Sequence, residues 1–225
     1  MTKVAILGFG TVGSGVAEVL SKNSQGIARR SGGEIQVKYI LDVRDFPDSP
    51  FKDCFVKDFS IIENDPEVDV VVETIGGAKV ALEFTTRALK AGKSVVSSNK
   101  ELVANHGYEL LQLAKANGVS YLFEASVGGG IPILRPLTNC LAANEVEQIT
   151  GILNGTTNYI LTKMTDEGLS YDDVLKDAQA KGFAEADPTA DVEGIDAANK
   201  LTILMALMFD KYVAPQDIPT TGITE

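Results

Sequence analysis

The sequence predicts an α/β fold in which a parallel β-sheet is covered by helices on both faces. Several short apolar runs contain few charged residues, as expected of strands that are buried on both sides. Segments with the apolar spacing of amphipathic helices alternate with these runs, and glycines mark many of the turns between them. This alternation is typical of parallel sheets whose strands are joined by helices.

The first strand is expected within residues 4–7, and the helix after it has its apolar face at Val12, Val16, Val19 and Leu20. Further strands are expected at residues 35–41, 68–74, 94–97 and 119–124, and helices at 80–92 and 102–117. The glycine-containing segment 23–34 is expected to be a loop or a frayed helix end.

A second unit begins where the alternation of strand and helix stops. We place the boundary so that residues 1–135 form the first domain and residues 136–225 begin another. Helices are expected at residues 136–144, after the turn at 154–158, at 170–181, and from about residues 191–194 onwards.

The turn after the first strand has the spacing G-x-G-x-x-G, with Gly8, Gly10 and Gly13 at the three glycine positions. Gly8 permits a tight turn, Gly10 lets a pyrophosphate approach the backbone, and Gly13 lets the helix pack close to the strand. The N–H groups at the start of the helix attract phosphate. The sequence therefore predicts a dinucleotide site in a Rossmann-type domain.

The end of the second strand carries residues that bear on the choice of cofactor. An acid such as Asp42 favours NAD by binding the ribose hydroxyls, whereas Arg44 favours NADP by pairing with a 2′-phosphate. We favour NADP through Arg44, with Lys57 as a second cation. The alternative is that Asp42, Arg44 and Asp45 form salt bridges with one another at the surface.

Other candidate residues lie where later strands end. Gly76 and Gly77 would let the backbone close on a cofactor, and Lys100 would stand at the mouth of the sheet. Glu124 precedes a segment with three glycines, which could bind a cation through carbonyl groups, bind a phosphate, or serve only as an elbow between domains. His106 is interpreted as a structural residue, since no cysteine or second histidine is near it.

The stretch before the last helix is acidic, with ten Asp or Glu residues and two Lys between Asp166 and Asn199. Asp196 and Lys200 would lie on one helix face at positions i and i+4. An ordinary ion pair at a solvated helix end would explain them. Together with Glu185 and Asp191 they also suggest a pocket for a substrate ammonium group, with the lysine available for proton transfer.

Composition excludes several classes of protein. A net charge of −11 without a basic stripe argues against nucleic-acid binding. The sequence has no run of eighteen apolar residues, so we predict no membrane span. Cys54 and Cys140 are interpreted as free thiols in a reducing compartment, so we expect a cytoplasmic protein.

Five stretches together resemble homoserine dehydrogenase, in the order in which that family has them. They are residues 6–13 (ILGFGTVG), 98–101 (SNKE), 124–132 (EASVGGGIP), 153–160 (LNGTTNYI) and 182–188 (GFAEADP), the last continuing through Asp196 and Lys200. The resemblance implies reversible, NAD(P)-dependent reduction of L-aspartate 4-semialdehyde to L-homoserine, a step towards threonine and methionine. It also implies that the second domain is an α+β domain for substrate binding and dimerisation.

The resemblance also implies roles for individual residues. The two lysines at the reacting carbonyl would be Lys200 and Lys100. The substrate-binding residues would be Glu185, Asp191, Asp196, Thr156 and Gly182. The cofactor would be held by Gly8, Phe9, Gly10, Thr11, Val12, Gly13, Arg44, Thr74, Gly76 and Lys100. A sodium-type cation would be bound by Glu124 and by the backbone of Val127, Gly129 and Ile131.

The family's substrate domain continues past the last helix matched here. We therefore expect a truncated chain that binds cofactor but has little activity, and a homodimer for the full-length enzyme. The alternatives are another Rossmann-type oxidoreductase and a non-catalytic nucleotide-sensing module. A semialdehyde dehydrogenase with a nucleophilic cysteine is disfavoured, because neither Cys54 nor Cys140 has an activating sequence context.

Overall fold

The computed structural model of the chain describes residues 1–209 and 211–224. The chain divides into two compact units, Met1–Gly129 and Gly130–Glu225. The boundary that we predicted, after residue 135, lies a few residues later in the chain than this division. Within the described residues, no helix combines the length and apolar character that crossing a bilayer requires.

The first unit is built on a six-stranded sheet in the order β3-β2-β1-β4-β5-β6, with every neighbouring pair parallel. The strands are β1 (Thr2–Leu7), β2 (Ile35–Leu41), β3 (Phe55–Val56), β4 (Val70–Glu73), β5 (Ser94–Ser97) and β6 (Tyr121–Leu122). The order reverses between β1 and β4, and ligands of such sheets bind beyond the carboxyl ends of the strands at this point. The predicted Rossmann-type parallel sheet is confirmed.

Helices join the strands of this sheet. They are α1 (Thr11–Lys22), α2 (Ser24–Ser31), α3 (Phe59–Glu63), α4 (Lys79–Lys90), α5 (Lys100–Ala116) and α6 (Ala125–Gly128). The core is centred on β1, where Val4 to Leu7 are each at most 4% exposed. Ala17 of α1 is fully buried and belongs to the same apolar cluster as Val4, Ile6 and Ile40. Residues 4–7 of this central strand are buried on both faces, which explains why they include no charged residue.

The expectation of a loop or a frayed helix end at residues 23–34 was wrong, because a separate helix, α2, occupies most of this segment. Gly26 lies inside the helix, which an exposed helix tolerates at a cost of about 1 kcal/mol. Gly32 ends the helix in the left-handed conformation with φ of 78°. Arg29 and Arg30 lie in its last turn, where positive charge complements the helix dipole.

The second unit is helical in the part that the structure describes. Its helices are α7 (Gly155–Glu167), α8 (Tyr171–Ala180), α9 (Thr189–Val192) and α10 (Ile195–Phe209), with short helical turns at Pro136–Cys140 and Pro215–Asp217. The buried residues Ile160, Val174 and Val192 form its apolar cluster. The side chains of Asn154 and Ser170 cap α7 and α8.

Two expectations for this unit need correction. The helix expected at residues 136–144 is the shorter turn Pro136–Cys140, after which the chain leaves helical conformation. The expected α+β domain contributes helices but no strand among residues 130–209 and 211–224. Residues 148–153 lack regular secondary structure.

Candidate functional site

The glycine turn between β1 and α1 lies against the end of β4. Gly8 has φ of 89°, and a Cβ there would lie 2.9 Å from the carbonyl oxygen of Thr74. A Cβ on Gly13 would lie 1.9 Å from the carbonyl oxygen of Gly8, whereas one on Gly10 would meet no atom within 4 Å. Packing therefore requires glycine at positions 8 and 13, and open space surrounds position 10, where a phosphate could approach.

Hydrogen bonds hold this turn from both sides. The hydroxyl of Thr74 donates to the carbonyl oxygens of Leu7 at 2.9 Å and Gly8 at 3.0 Å. On the other side, the N–H of Phe9 donates to Oδ2 of Asp42 at 2.8 Å. Gly10 is the N-cap of α1 and has no side chain that could bond the first N–H groups of the helix. These groups are therefore available to an anion.

A cavity of about 480 Å³ opens beside the turn, within the first unit. It is lined by residues at the ends of β1, β2, β3 and β4 and in the first half of α4, namely Gly8, Phe9, Gly10, Leu41, Asp42, Val43, Arg44, Lys57, Thr74, Ile75, Gly76, Val80 and Phe84. Six residues predicted to bind the cofactor are among them: Gly8, Phe9, Gly10, Arg44, Thr74 and Gly76. The others are in helices, with Thr11, Val12 and Gly13 in the first turn of α1 and Lys100 at the start of α5.

Asp42 at the end of β2 is almost fully buried and is paired with Arg44. Nε of Arg44 donates to Oδ1 at 3.0 Å, and a second guanidinium nitrogen donates to Oδ2 at 2.9 Å. These bonds keep the pKa of the Asp42 carboxyl well below its usual range. Lys57 forms an ion pair with Asp45 at 2.8 Å and donates to the carbonyl oxygens of residues 42–44.

The salt-bridged arrangement that we considered as an alternative is therefore present in part, since Asp42 pairs with Arg44 but Asp45 pairs with Lys57. It does not exclude a role in binding, because the Arg44 side chain is 59% exposed and lines the cavity. Binding of a 2′-phosphate by Arg44 stays a prediction, and it requires the guanidinium to share its donors with, or leave, Asp42.

Sequence analysis missed a buried carboxyl group next to this cavity. Glu73 of β4 is fully buried, accepts the N–H of Ile75 at 2.7 Å and accepts the hydroxyl of Ser97 at 2.5 Å. Burial raises the pKa of this carboxyl group. The carboxyl group thus links the loop after β4 to the end of β5.

Asn99 also connects the loop after β4 to the start of α5. Its Nδ2 donates to the carbonyl oxygens of Ile75 at 3.1 Å and Gly77 at 2.8 Å, and its Oδ1 accepts the N–H of Leu102 at 3.0 Å. Asn99 therefore caps α5 and fixes the loop that contains Gly76. The next residue, Lys100, is the exposed first residue of α5. Its predicted catalytic role is not tested by this geometry.

The predicted cation-binding residues are distributed along a segment that is only partly a loop. Glu124 precedes α6, Val127 lies buried within it, and Gly129 follows it with φ of 59°. Ile131 is 72% exposed. The segment is not a continuous loop, because Ser126 bonds the carbonyl oxygen of Phe123 through its N–H and hydroxyl groups and starts a helical turn.

Among residues 1–209 and 211–224, no group of three or more His, Cys, Asp or Glu side chains is arranged to hold a metal ion. A cation near Glu124 would therefore depend mainly on backbone carbonyl groups. This site stays a prediction.

In the second unit, Lys200 of α10 is in contact with a buried carboxylate. Its Nζ donates to Oδ2 of Asp196 at 2.7 Å and to the carbonyl oxygen of Leu153 at 2.7 Å. The side chain of Asp196 is 2% exposed and that of Lys200 is 16% exposed. This environment differs from a solvated helix end, since the lysine is held in one direction by a buried acid.

Asn154 brings a second acid into this group. Its Nδ2 donates to Oδ1 of Asp191 at 2.6 Å and to Oδ2 of Asp196 at 2.8 Å. Sequence analysis identified Asn154 only within a turn that contains good helix caps. The structure brings the predicted residues Asp191, Asp196 and Lys200 together around it. We refer to these four residues, Asn154, Asp191, Asp196 and Lys200, as the lysine cluster.

The remaining predicted substrate residues lie on or against the loop after α8. Gly182 ends α8 with φ of 75°, and Glu185 is exposed on the loop that follows. The hydroxyl of Thr156 donates to the carbonyl oxygen of Phe183 at 2.7 Å. Nε2 of Gln179 donates to the carbonyl oxygen of Glu185 at 3.0 Å. In this structure the Thr156 hydroxyl therefore fastens the loop that carries Glu185.

Comparison with known proteins identifies both parts of the chain. Residues 8–124 match the family model described as "Homoserine dehydrogenase, NAD binding domain", and residues 132–225 match the model described as "Homoserine dehydrogenase". The homoserine dehydrogenases of Pseudomonas aeruginosa and Bacillus subtilis are 48% and 45% identical, and each alignment covers 99% of this chain and 52% of the relative.

Solved structures give the same result. A homoserine dehydrogenase from Thiobacillus denitrificans is 45% identical with a TM-score of 0.91, and the match covers 99% of this chain and 52% of that one. A hyperthermophilic archaeal homoserine dehydrogenase in complex with NADPH is 31% identical with a TM-score of 0.84, and the match covers 100% and 74% of the two chains.

The chain thus spans about half the length of the two bacterial relatives named above. The match extends over both units, and the predicted motifs lie within the matched ranges, apart from residues 6–7 of the glycine motif and residues 125–131 of the segment with three glycines. This chain belongs to the homoserine dehydrogenase family.

Proposed function

We propose that this protein is an NAD(P)-dependent oxidoreductase that reduces L-aspartate 4-semialdehyde to L-homoserine, reversibly, in threonine and methionine biosynthesis. The observation that carries the proposal is the lysine cluster, in which Nζ of Lys200 lies 2.7 Å from the buried carboxylate of Asp196. A cationic donor held beside carboxylates suits a substrate with a carbonyl group at one end and an amino acid group at the other.

The glycine turn supports the cofactor part of this proposal. Open space at Gly10, the uncapped start of α1 and the adjoining cavity fit a pyrophosphate and its attached nucleoside. The archaeal relative whose structure contains NADPH supports the same class of cofactor. We favour NADP because Arg44 and Lys57 both line the cavity.

When bound, the nicotinamide supplies the hydride that reduces the aldehyde carbon. Lys200 donates a proton to the carbonyl oxygen as negative charge develops there, and the resemblance to the family suggests Lys100 as a second catalytic lysine. Asp196 directs the Lys200 amine. Glu185, Asp191 and Asp196 bind the ammonium group of the substrate and thereby fix its orientation.

The proposal includes three properties of the enzyme as a whole. We expect a homodimer, located in the cytoplasm, where thiols such as those of Cys54 and Cys140 stay reduced. We also expect a sodium-type cation at Glu124 and the backbone of Val127, Gly129 and Ile131. Activity measured in sodium, potassium and lithium salts at constant ionic strength tests the cation, since a specific site responds differently to the three ions.

The test of the proposed function is oxidation of alcohols with NADP⁺ and NAD⁺, followed by the absorbance of the reduced nicotinamide. The assay compares L-homoserine with L-serine, L-threonine and a sugar alcohol, with any natural extension of the chain present. A clear preference for L-homoserine supports the proposal. Nicotinamide binding without hydride transfer would contradict it and favour a nucleotide-sensing module.

A further inference from the structure

Asn154 uses its whole amide group within the lysine cluster. The residue is 8% exposed, and its Nδ2 donates one hydrogen bond to Asp191 and one to Asp196. Its Oδ1 accepts the N–H of Thr157 at 2.8 Å and the hydroxyl of Thr157 at 3.0 Å. A side-chain amide has two donor hydrogens and two acceptor lone pairs, so all four positions are occupied.

The partners of Asn154 determine which way its amide faces. If the amide were flipped, Oδ1 would face two carboxylates and Nδ2 would face the backbone N–H of Thr157. An acceptor would then face acceptors, and a donor would face a donor, so these hydrogen bonds could not form. The cap on α7 therefore directs the two Nδ2 hydrogens towards the acids. This constraint arises from one turn of the chain, in which residues 153–157 supply both the cap and a carbonyl partner of Lys200.

The same amide sets how close the two acids lie. Oδ1 of Asp191 and Oδ2 of Asp196 bond one nitrogen at 2.6 Å and 2.8 Å, so these oxygens are at most 5.4 Å apart. Carboxylates this close repel each other unless a donor lies between them. The oxygen of Asp196 that accepts from Asn154 also accepts from Lys200, so the direction of the amine depends on the same contact.

We infer that Asn154 is a positioning residue for the reaction, because its amide holds Asp191 and Asp196 side by side and thereby directs the amine of Lys200. The inference rests on the proposed function. It assigns Asn154 no contact with the substrate. Its effect is to keep two carboxylates and one amine in a fixed arrangement for a substrate that has an ammonium group and a carbonyl group.

The test compares two variants that keep a helix cap. In Asn154→Asp, a carboxylate still accepts the N–H of Thr157, but an oxygen replaces the donor that faces Asp191 and Asp196. In Asn154→Ser, the cap is kept without added charge, and the short hydroxyl does not reach both acids. The matched control is Ser170→Ala, which removes the cap of α8.

For Asn154→Asp we expect kcat/KM for L-homoserine to fall by about 100-fold, the usual effect of a small misplacement of reacting groups. For Asn154→Ser we expect a smaller fall, of about 10-fold, because the carboxylates lose a partner but gain no new repulsion. The affinity for NADPH should stay within about 2-fold of wild type in both variants, since the glycine turn is untouched.

The pH dependence of kcat/KM separates positioning from a purely structural role. Asn154→Asp should move the profile to higher pH, because an added negative charge favours the protonated forms of the groups around it. The groups that face this position are Asp191, Asp196 and Lys200. Asn154→Ser should leave the profile where it is. A change in the stability of α7 alone predicts no movement in either variant.

Values of kcat/KM within about 3-fold of wild type in both Asn154 variants would overturn the inference. It would also be overturned if Ser170→Ala lowered kcat/KM as much as they do, since a general disturbance of the helices would then explain the loss. A wild-type protein that oxidises no homoserine would overturn the proposed function, and this inference with it. An active wild type with unaffected variants would overturn the inference alone.

Discussion

Replacing Gly13 with alanine would place a Cβ 1.9 Å from the carbonyl oxygen of Gly8 and 2.8 Å from Oγ1 of Thr74. Carbon and oxygen atoms that are not bonded usually approach to about 3.3 Å, so the turn or the helix would have to move by about 1.4 Å. Such a movement would strain the hydrogen bond from Thr74 to Gly8. Overpacking of this kind costs about 3 kcal/mol, at the upper end of its usual range.

A loss of about 3 kcal/mol should lower the melting temperature of a chain of this size by about 6–12 °C. Two other glycines of the same turn and helix provide matched comparisons. Gly10→Ala adds a Cβ that meets no protein atom within 4 Å. It should cost at most about 1 kcal/mol, because alanine is a poorer N-cap than glycine. It should nevertheless weaken NADPH binding by at least about 10-fold, since the methyl group would occupy the phosphate position.

Gly15→Ala is the control within α1, where a Cβ again meets no atom within 4 Å. Alanine in a helix interior should stabilise the protein by about 0.5–1 kcal/mol and leave the affinity for NADPH unchanged. Urea unfolding followed by circular dichroism gives the three stabilities, and calorimetric titration gives the affinities. Wild-type stability of Gly13→Ala would refute the packing argument. Wild-type affinity of Gly10→Ala would refute the phosphate position.

Two further predictions concern the charged groups at the edge of the sheet. Arg44→Ala should lower the affinity for NADPH about 10- to 100-fold more than that for NADH, because a charged hydrogen bond to the 2′-phosphate is lost; equal losses in calorimetric titration would count against this role. Glu73→Gln should become more stable relative to wild type as the pH rises from about 4 to 8. Burial raises the pKa of Glu73, so its contribution to folding is fully present below the pKa of the unfolded chain and is lost as the pH rises through the folded value. Urea unfolding over this pH range measures the difference, and a constant difference would contradict it.

The sheet was predictable because its strands are largely apolar runs with few charged residues that end at glycine or polar residues. The predicted second strand, residues 35–41, and the predicted strand 94–97 have the bounds of β2 and β5. The end of β6 and the start of α6 were not found, because a hydrogen bond between Ser126 and Phe123 decides the conformation there. The helix α2 was missed because Gly26 within it, and Gly32 and Gly33 after it, resemble the glycines of a loop.

The candidate site was only partly predictable, because pattern analysis finds residue types and not their partners. Asp196 and Lys200 were predicted as a pair, because residues four positions apart lie on the same face of a helix. Asn154 bonds acids that lie 37 and 42 positions later in the chain, and no local pattern records such contacts. Glu73 likewise bonds Ser97 on the neighbouring strand, a contact that depends on the register of β4 and β5. Long-range hydrogen bonds are thus the part that required a structure.

The most direct test of the central claim is the effect of Lys200→Ala on L-homoserine oxidation, measured beside NADPH affinity and melting temperature. Lys176→Ala, which changes an exposed lysine of α8, is the matched control. Removal of a general acid or base lowers the rate by about 10²- to 10⁴-fold. We predict a loss of kcat/KM of this size for Lys200→Ala, with unchanged NADPH affinity and no loss in the control. A Lys200→Ala enzyme that keeps kcat/KM close to wild type would contradict the account.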